Sequence, residues 1–265
     1  MTTRTLTAQP AAARPLQMWA ALTGAELRRF LRNPLQAMAT IFFPLFFFAL
    51  FGLSASKATI EGVNGGVYVY ISFATYSLMS TALFTFGVSV ANERASGWLR
   101  LLKITPLGAA QHLAAKFALA LIVGLCSLLL LLAFAVVAGG VHIAPGLAAG
   151  LIGRLLLGSV CFVALGFVLG FALSVTSVTP VVNILWLALS FGSGLFVPLS
   201  NLPVFIQRLS PWLPSSHLAR IGWRAAGVPL GGSEAVDWLW LAGYTLVFLV
   251  LGRLAYRRDS ARQYG

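Results

Sequence analysis

Few side chains in this sequence could do chemistry, and the densest group of them lies at residues 92–107, "NERASGWLRLLKITPL". There Glu93, Arg94, Arg100 and Lys103 crowd around Trp98 and several leucines, in a chain that otherwise avoids charge. Asn92 can cap a helix, Glu93 suits the positive N-terminal end of one, and Pro106 can stop it. A short helix is expected, held between two longer elements and too small to be a domain. Chemistry elsewhere is sparse. A phosphate-cradling P-loop needs a glycine loop ending in Lys followed by Ser or Thr. Lys57, Lys103 and Lys116 are followed by Ala, Ile and Phe. An intramembrane enzyme needs paired acids, a histidine cluster or an activated nucleophile, whereas His112 and His142 stand isolated. No catalytic residue and no metal site is expected. Cys126 and Cys161 fall inside apolar runs, where a thiol acts as a small hydrophobe.

The elements that must position this group follow from composition. A soluble domain carries about 25% charged residues; this chain carries 9%, with 59% hydrophobic residues and a mean hydropathy of +0.89. Its solvent is expected to be lipid. The formal charge of +12 would suggest nucleic acid in a soluble protein. Beside a membrane it suits anionic headgroups, so lipid is the expected partner and nucleic acid is not. Lipid offers nothing to unpaired backbone groups, so each crossing needs about 20 apolar residues in a helix. The expected fold class is therefore all-α: a polytopic membrane protein with six transmembrane helices.

Charge-free stretches place those spans at Pro34–Leu53, Val67–Ala91, Phe117–Ala138, Leu155–Leu173, Val181–Pro198 and Trp238–Leu254. The second is rich in Ser, Thr and Tyr, which predicts a face toward protein or a pathway as well as one toward lipid. "SVTSVTP", residues 174–180, is the expected turn in a stretch too long for one crossing. Six spans put both termini on one side. Most of the 18 basic residues fall before residue 34, between 92 and 116, or after 252, so that side is expected to be cytoplasmic. The chain then divides into a cytoplasmic tail (1–15) without a cleavable leader, an amphipathic interfacial helix (16–33), the six-span domain (34–256) and a second tail (257–265).

In the interfacial helix, Leu16, Trp19, Leu22, Leu27, Phe30 and Leu31 recur at mixed three- and four-residue steps. In the outer segment 199–237, Pro203, Pro211 and Pro214 forbid one continuous helix and predict short interfacial or re-entrant helices. His217, Arg220 and Arg224 share one side of such a helix by their spacing, with His217 expected to face headgroups. Trp212, Trp223, Trp238 and Trp240 suit an aromatic belt. Gly166 and Gly170 form a small-xxx-small pattern that allows close helix packing. Glu93 and Asp237 stand at span edges and no span holds an interior acid, which removes the coupling groups of a proton- or sodium-driven carrier.

The loop after the second span reads Glu93-Arg94, Gly97, then Leu99, Leu101 and Leu102 in a basic stretch ending at Pro106. With "GLFVPLSNLPVFIQRLSPWLPSSHLARIGW" at 194–223, it resembles the membrane subunits of ABC transporters of the type-2 exporter class. The resemblance runs from the interfacial helix to the sixth span. It implies a permease that pairs with a second copy or a homologue and with two cytoplasmic ATPase subunits. ATP and Mg would sit in those partners, and no cofactor in this chain. Residues 92–107 would be the coupling helix, with Glu93, Arg94, Gly97, Trp98, Arg100, Leu101 and Pro106 at the ATPase and the first two as leading contacts. In the family the second and fifth spans face the substrate pathway, which points to Tyr76, Phe84, Phe86, Asn183 and Trp186. Aromatic and hydroxyl groups without charge there suit a lipophilic or amphiphilic compound better than a small ion, and the resemblance implies its export, as a drug, antibiotic, lipid or glycan-like molecule, across a bacterial cell membrane. A transport subunit of this kind is not itself an enzyme. The competing readings are a non-transporting scaffold or sensor subunit and a secondary carrier.

Overall fold

The computed structural model describes residues 15–34, 38–98 and 109–262. In chain order these form α1 (Pro15–Leu31), α2 (Thr40–Ala55), a hairpin of β1 (Thr59–Ile60) and β2 (Val63–Asn64), then α3 (Gly65–Ala95) and α4 (Ala109–Val137). There follow α5 (Pro145–Ala172), α6 (Val175–Gly192), α7 (Val204–Leu209), α8 (Pro214–Ala225) and α9 (Glu234–Arg262). Helix is the rule, and the hairpin is a two-residue-per-strand exception. Five helices, α3, α4, α5, α6 and α9, are long and apolar enough to cross a membrane, and α2 is apolar but shorter.

α3 is the axis of the bundle. Every residue from Gly65 to Ala82 is buried. Several of its hydroxyls bond within the helix: Ser72 donates to Tyr68 O (3.0 Å), Thr75 to Ile71 O (2.9 Å) and Thr81 to Ser77 O (2.8 Å), whereas Ser77 Oγ meets Thr40 O and Ser127 Oγ, and the buried Tyr70 hydroxyl has no partner among the described residues. Such i to i−4 bonds let polar residues sit in an interior without an orphaned group. The face rich in Ser, Thr and Tyr is thus turned toward protein. Asn64 starts the helix by accepting from the Gly66 and Val67 amides (2.9 and 3.3 Å). Where α3 crosses α5, a Cβ on Gly166 would lie 3.0 Å from Ala82 O and 3.2 Å from Gly87 N, so the backbones meet through glycine. Gly87 lies in a π turn, Leu83–Val88, that interrupts α3 at this crossing.

Several expected boundaries are corrected. α4 starts at Ala109 and α5 at Pro145, so Lys116 and Arg154 lie inside helices that charge-free stretches would have begun later. Arg154 tolerates this position because its Nε reaches Glu234 Oε1 on α9 at 3.1 Å. "SVTSVTP" is a turn only at its start. Ser174 caps α6 by accepting from Ser177 N (3.2 Å), and Pro180 lies inside the helix. Asn92 and Glu93 do not begin a new helix. They belong to the last turn of α3, Ser89–Ala95, which ends at Gly97 in the left-handed region (φ +76°). The outer segment is built as expected from short pieces, with Pro214 at the first position of α8, where its missing N–H costs nothing. Residues 234–237 belong to α9.

Candidate functional site: an ion cluster beside an amphipathic cavity

Glu93 has no exposed surface. Its Oε1 lies 2.8 Å from Lys116 Nζ on α4 and also accepts from Arg29 Nη1 on α1, and its Oε2 accepts from His112 Nε2 at 2.8 Å. Lys116 Nζ donates in addition to Glu26 Oε2 on α1 (3.0 Å) and Ser89 Oγ on α3 (2.8 Å). Helical spacing assembles the group: Glu26 and Arg29 on α1, Ser89 and Glu93 on α3, and His112 and Lys116 on α4 are each three or four residues apart and so share a face. Two carboxylates meet an ammonium and a guanidinium, so these four charges balance. Buried charge persists only when paired and hydrogen-bonded in this way. Glu26, Glu93 and His112 offer ligand atoms within 4.8 Å of one another. The Lys116 ammonium already supplies the cation between both carboxylates, so the arrangement works as an ion lock rather than a metal centre.

The next residue faces the other way. Successive helical residues are about 100° apart, and Arg94 turns to the opposite flank of α3. Its Nη1 and Nη2 donate to Gly170 O (2.7 Å) and Leu173 O (3.1 Å) at the end of α5, and its Nε pairs with Asp259 Oδ1 on α9 (3.2 Å). A cation at a helix C-terminus satisfies carbonyls that have no intrahelical partner. Two adjacent side chains therefore fasten the end of α3 to α1 and α4 on one side and to α5 and α9 on the other. Trp98 is 44% exposed. Arg100, Leu101 and Pro106 lie outside the described residues.

Beside the cluster is a cavity of about 540 Å³. Its apolar lining includes Phe84 on α3, Trp186 on α6, Phe43 on α2 and Phe30 on α1. Its polar lining is Arg29 and Glu26 of α1, Asn33 just beyond α1, Ser89 and Asn92 of α3, and Thr179 and Asn183 of α6. Of the residues singled out by sequence, Phe84, Asn183 and Trp186 line this one space. Tyr76 stands behind it, its ring centroid 4.4 Å from that of Trp186, whose Nε1 donates to Tyr76 O (3.4 Å). Phe86 points elsewhere, against Phe167 of α5.

Sequence reasoning missed Arg29, Glu26, Lys116 and Asp259. The three- and four-residue spacings on α1 and α4 were the available signal. At the far end of the bundle, His217, Arg220 and Arg224 do share a face of α8, and they converge on Asp237 of α9 at 2.8, 3.1 and 3.4 Å. His217 is buried, with Pro211 O as a second partner at 3.0 Å and the Trp240 ring stacked on it, so it is no headgroup-facing histidine. Asp237 takes the place that solvent would have held.

Residues 54–254 match the sequence model of the ABC-2 family transporter protein. The chain is also 25% identical over 240 residues to the Bacillus subtilis (strain 168) protein YvfS, which is named as a transport permease; the match covers 89% of this chain and 96% of that protein.

Proposed function

This chain belongs to the ABC-2 family of transporters, and from that premise we propose that it is the membrane subunit of an ATP-driven exporter, driven through residues 92–107. Membership makes it a multi-pass membrane permease of an ABC transporter, a transport subunit rather than an enzyme, with an ABC ATPase as partner. In this reading two ATPase subunits hold ATP and Mg on the cytoplasmic side of a bacterial cell membrane, and a second permease copy or homologue completes the pathway. α2, α3, α4, α5, α6 and α9 are the six crossings. Both termini lie in the cytoplasm, where the basic residues concentrate, and α7 and α8 form the outer re-entrant segment.

The observation that carries the proposal is the two-sided fastening of α3 by Glu93 and Arg94. ATPase closure pushes the segment after Gly97. Because the last turn of α3 is ion-locked to α1 and α4 and bonded to α5 and α9, that push moves several helices together instead of bending one. The cavity between α1, α3 and α6 borders the same lock, so its access changes with the movement. A buried Glu93 offers a partner no surface; it anchors the coupling segment, and contact with the ATPase falls to Trp98 and the residues after it. The cavity's mixed lining supports a lipophilic or amphiphilic substrate.

The test is ATP hydrolysis by the partner ATPase, alone and reconstituted with the permease. Glu93→Gln and Gly97→Val, the second placing a side chain where φ is positive at a cost of about 1–2 kcal/mol, are expected to assemble with the ATPase. They are also expected to lose at least fivefold of the permease-dependent change in hydrolysis. Wild-type dependence in both assembled variants would remove the coupling assignment.

A further inference from the structure

Arg29 belongs to two structures at once. Its Nη1 reaches Glu93 in the ion lock, and its side chain is 53% exposed and lines the cavity. The other charges of the lock are withdrawn: Lys116 and Glu93 are fully buried, and the Glu26 carboxylate is bound by Lys116. Arg28 and Arg32 are exposed on the same end of α1 and add positive charge close to Arg29. A guanidinium has five N–H donors in a planar fork and can hold a second acid group while keeping the first. The apolar part of the lining, Trp186, Phe84 and Phe43, is suited to a hydrocarbon or aromatic tail.

We propose that the cavity binds an amphiphile with an acidic head, its phosphate or carboxylate held by Arg29 and its tail against Trp186. This deepens the exporter reading and rests on it for the cavity's role. Occupancy and the coupling segment then share one side chain: the guanidinium that meets the ligand also holds Glu93 at the end of α3.

The experiment uses the full chain in phosphatidylcholine nanodiscs. Dodecyl phosphate, dodecyltrimethylammonium and dodecyl maltoside share one tail and differ in the head. Each is titrated while tryptophan fluorescence is followed, and the same titration of Trp186→Phe is subtracted to isolate the Trp186 signal. Dodecyl phosphate is expected to saturate at a concentration about tenfold below the other two, a preference of about 1.4 kcal/mol. Arg29→Gln should erase the preference while the tail still perturbs Trp186, and Arg29→Lys should keep part of it. Lys116 and His112 still hold Glu93 in these variants, so folding is retained. Equal saturation by all three heads, or a preference that survives Arg29→Gln, overturns the acidic-head assignment and leaves the cavity reading intact. If no compound moves the Trp186 signal, the cavity reading itself fails, and this inference with it. Adding phosphatidylglycerol to the nanodiscs separates two sources of the ligand. Loss of the dodecyl phosphate response in wild type identifies acidic phospholipid as the competing ligand of Arg29. An unchanged response identifies a single-chain acid that phospholipid does not displace.

Discussion

At the scale of single residues, the decisive feature is a lysine with no exposed surface. Lys116 stands between Glu26 and Glu93 at 3.0 and 2.8 Å. Removing one member of a buried ion pair leaves its partners charged and unsolvated, which costs about 3–5 kcal/mol. Lys116→Met is therefore expected to lower the thermal unfolding midpoint of the detergent-solubilised protein by several degrees. Adding Glu93→Gln should recover part of the loss, because the double variant buries one fewer unpaired charge. A single variant as stable as wild type would mean that the lock is not formed. Local sequence carried the three- and four-residue spacings on α1 and α4 but not which partners those residues would meet. His112 looked isolated because its partner Glu93 is 19 residues away, and Lys116 looked like a loop cation because Glu26 is 90 residues away. Periodicity finds apolar faces; it does not find which polar residues on different helices will meet.

At the scale of elements, the apolar runs announced the helices and misplaced their ends. A charge normally ends a membrane span, and that rule trimmed α4 at Lys116 and α5 at Arg154. Both cations are carried by acids on other helices, so the helices simply continue. The small-residue pattern at Gly166 and Gly170 was legible as a signal for close packing, while its partner, Gly87 in the π turn of α3, was not. The structure makes a paired prediction on one helix. Gly166→Ala places a methyl 3.0 Å from Ala82 O and 3.2 Å from Gly87 N, so α3 and α5 must separate, at about 1–3 kcal/mol. Gly153→Ala, with open space around it, should be neutral or stabilise by up to about 1 kcal/mol through helix propensity. Thermal midpoints of the two variants, measured side by side, check the crossing. Similar behaviour at both sites would show that α5 does not approach α3 as described.

At the scale of the whole molecule, the proposed coupling requires that a push on the segment after Gly97 reach helices on both sides of α3. Glu93 carries the α1 and α4 side, and Arg94 carries the α5 and α9 side through three contacts of two kinds. Its bonds to Gly170 O and Leu173 O hold the end of α5, and its ion pair with Asp259 recruits α9, which continues as helix to Arg262. These contacts separate by substitution. Arg94→Gln loses all of them, whereas Asp259→Asn keeps the bonds to α5 and weakens only the link to α9. Hydrogen exchange of amides around the α5–α6 junction, residues 170–178, should therefore rise in Arg94→Gln and stay near wild type in Asp259→Asn. Permease-dependent ATP hydrolysis should fall in both, by about tenfold in the first and only a few-fold in the second, where a partly exposed pair is at stake. If exchange rises in Arg94→Gln while hydrolysis keeps its wild-type dependence on the permease, Arg94 is a helix cap and no more. Force would then pass through α1 and α4 alone, by way of Glu93.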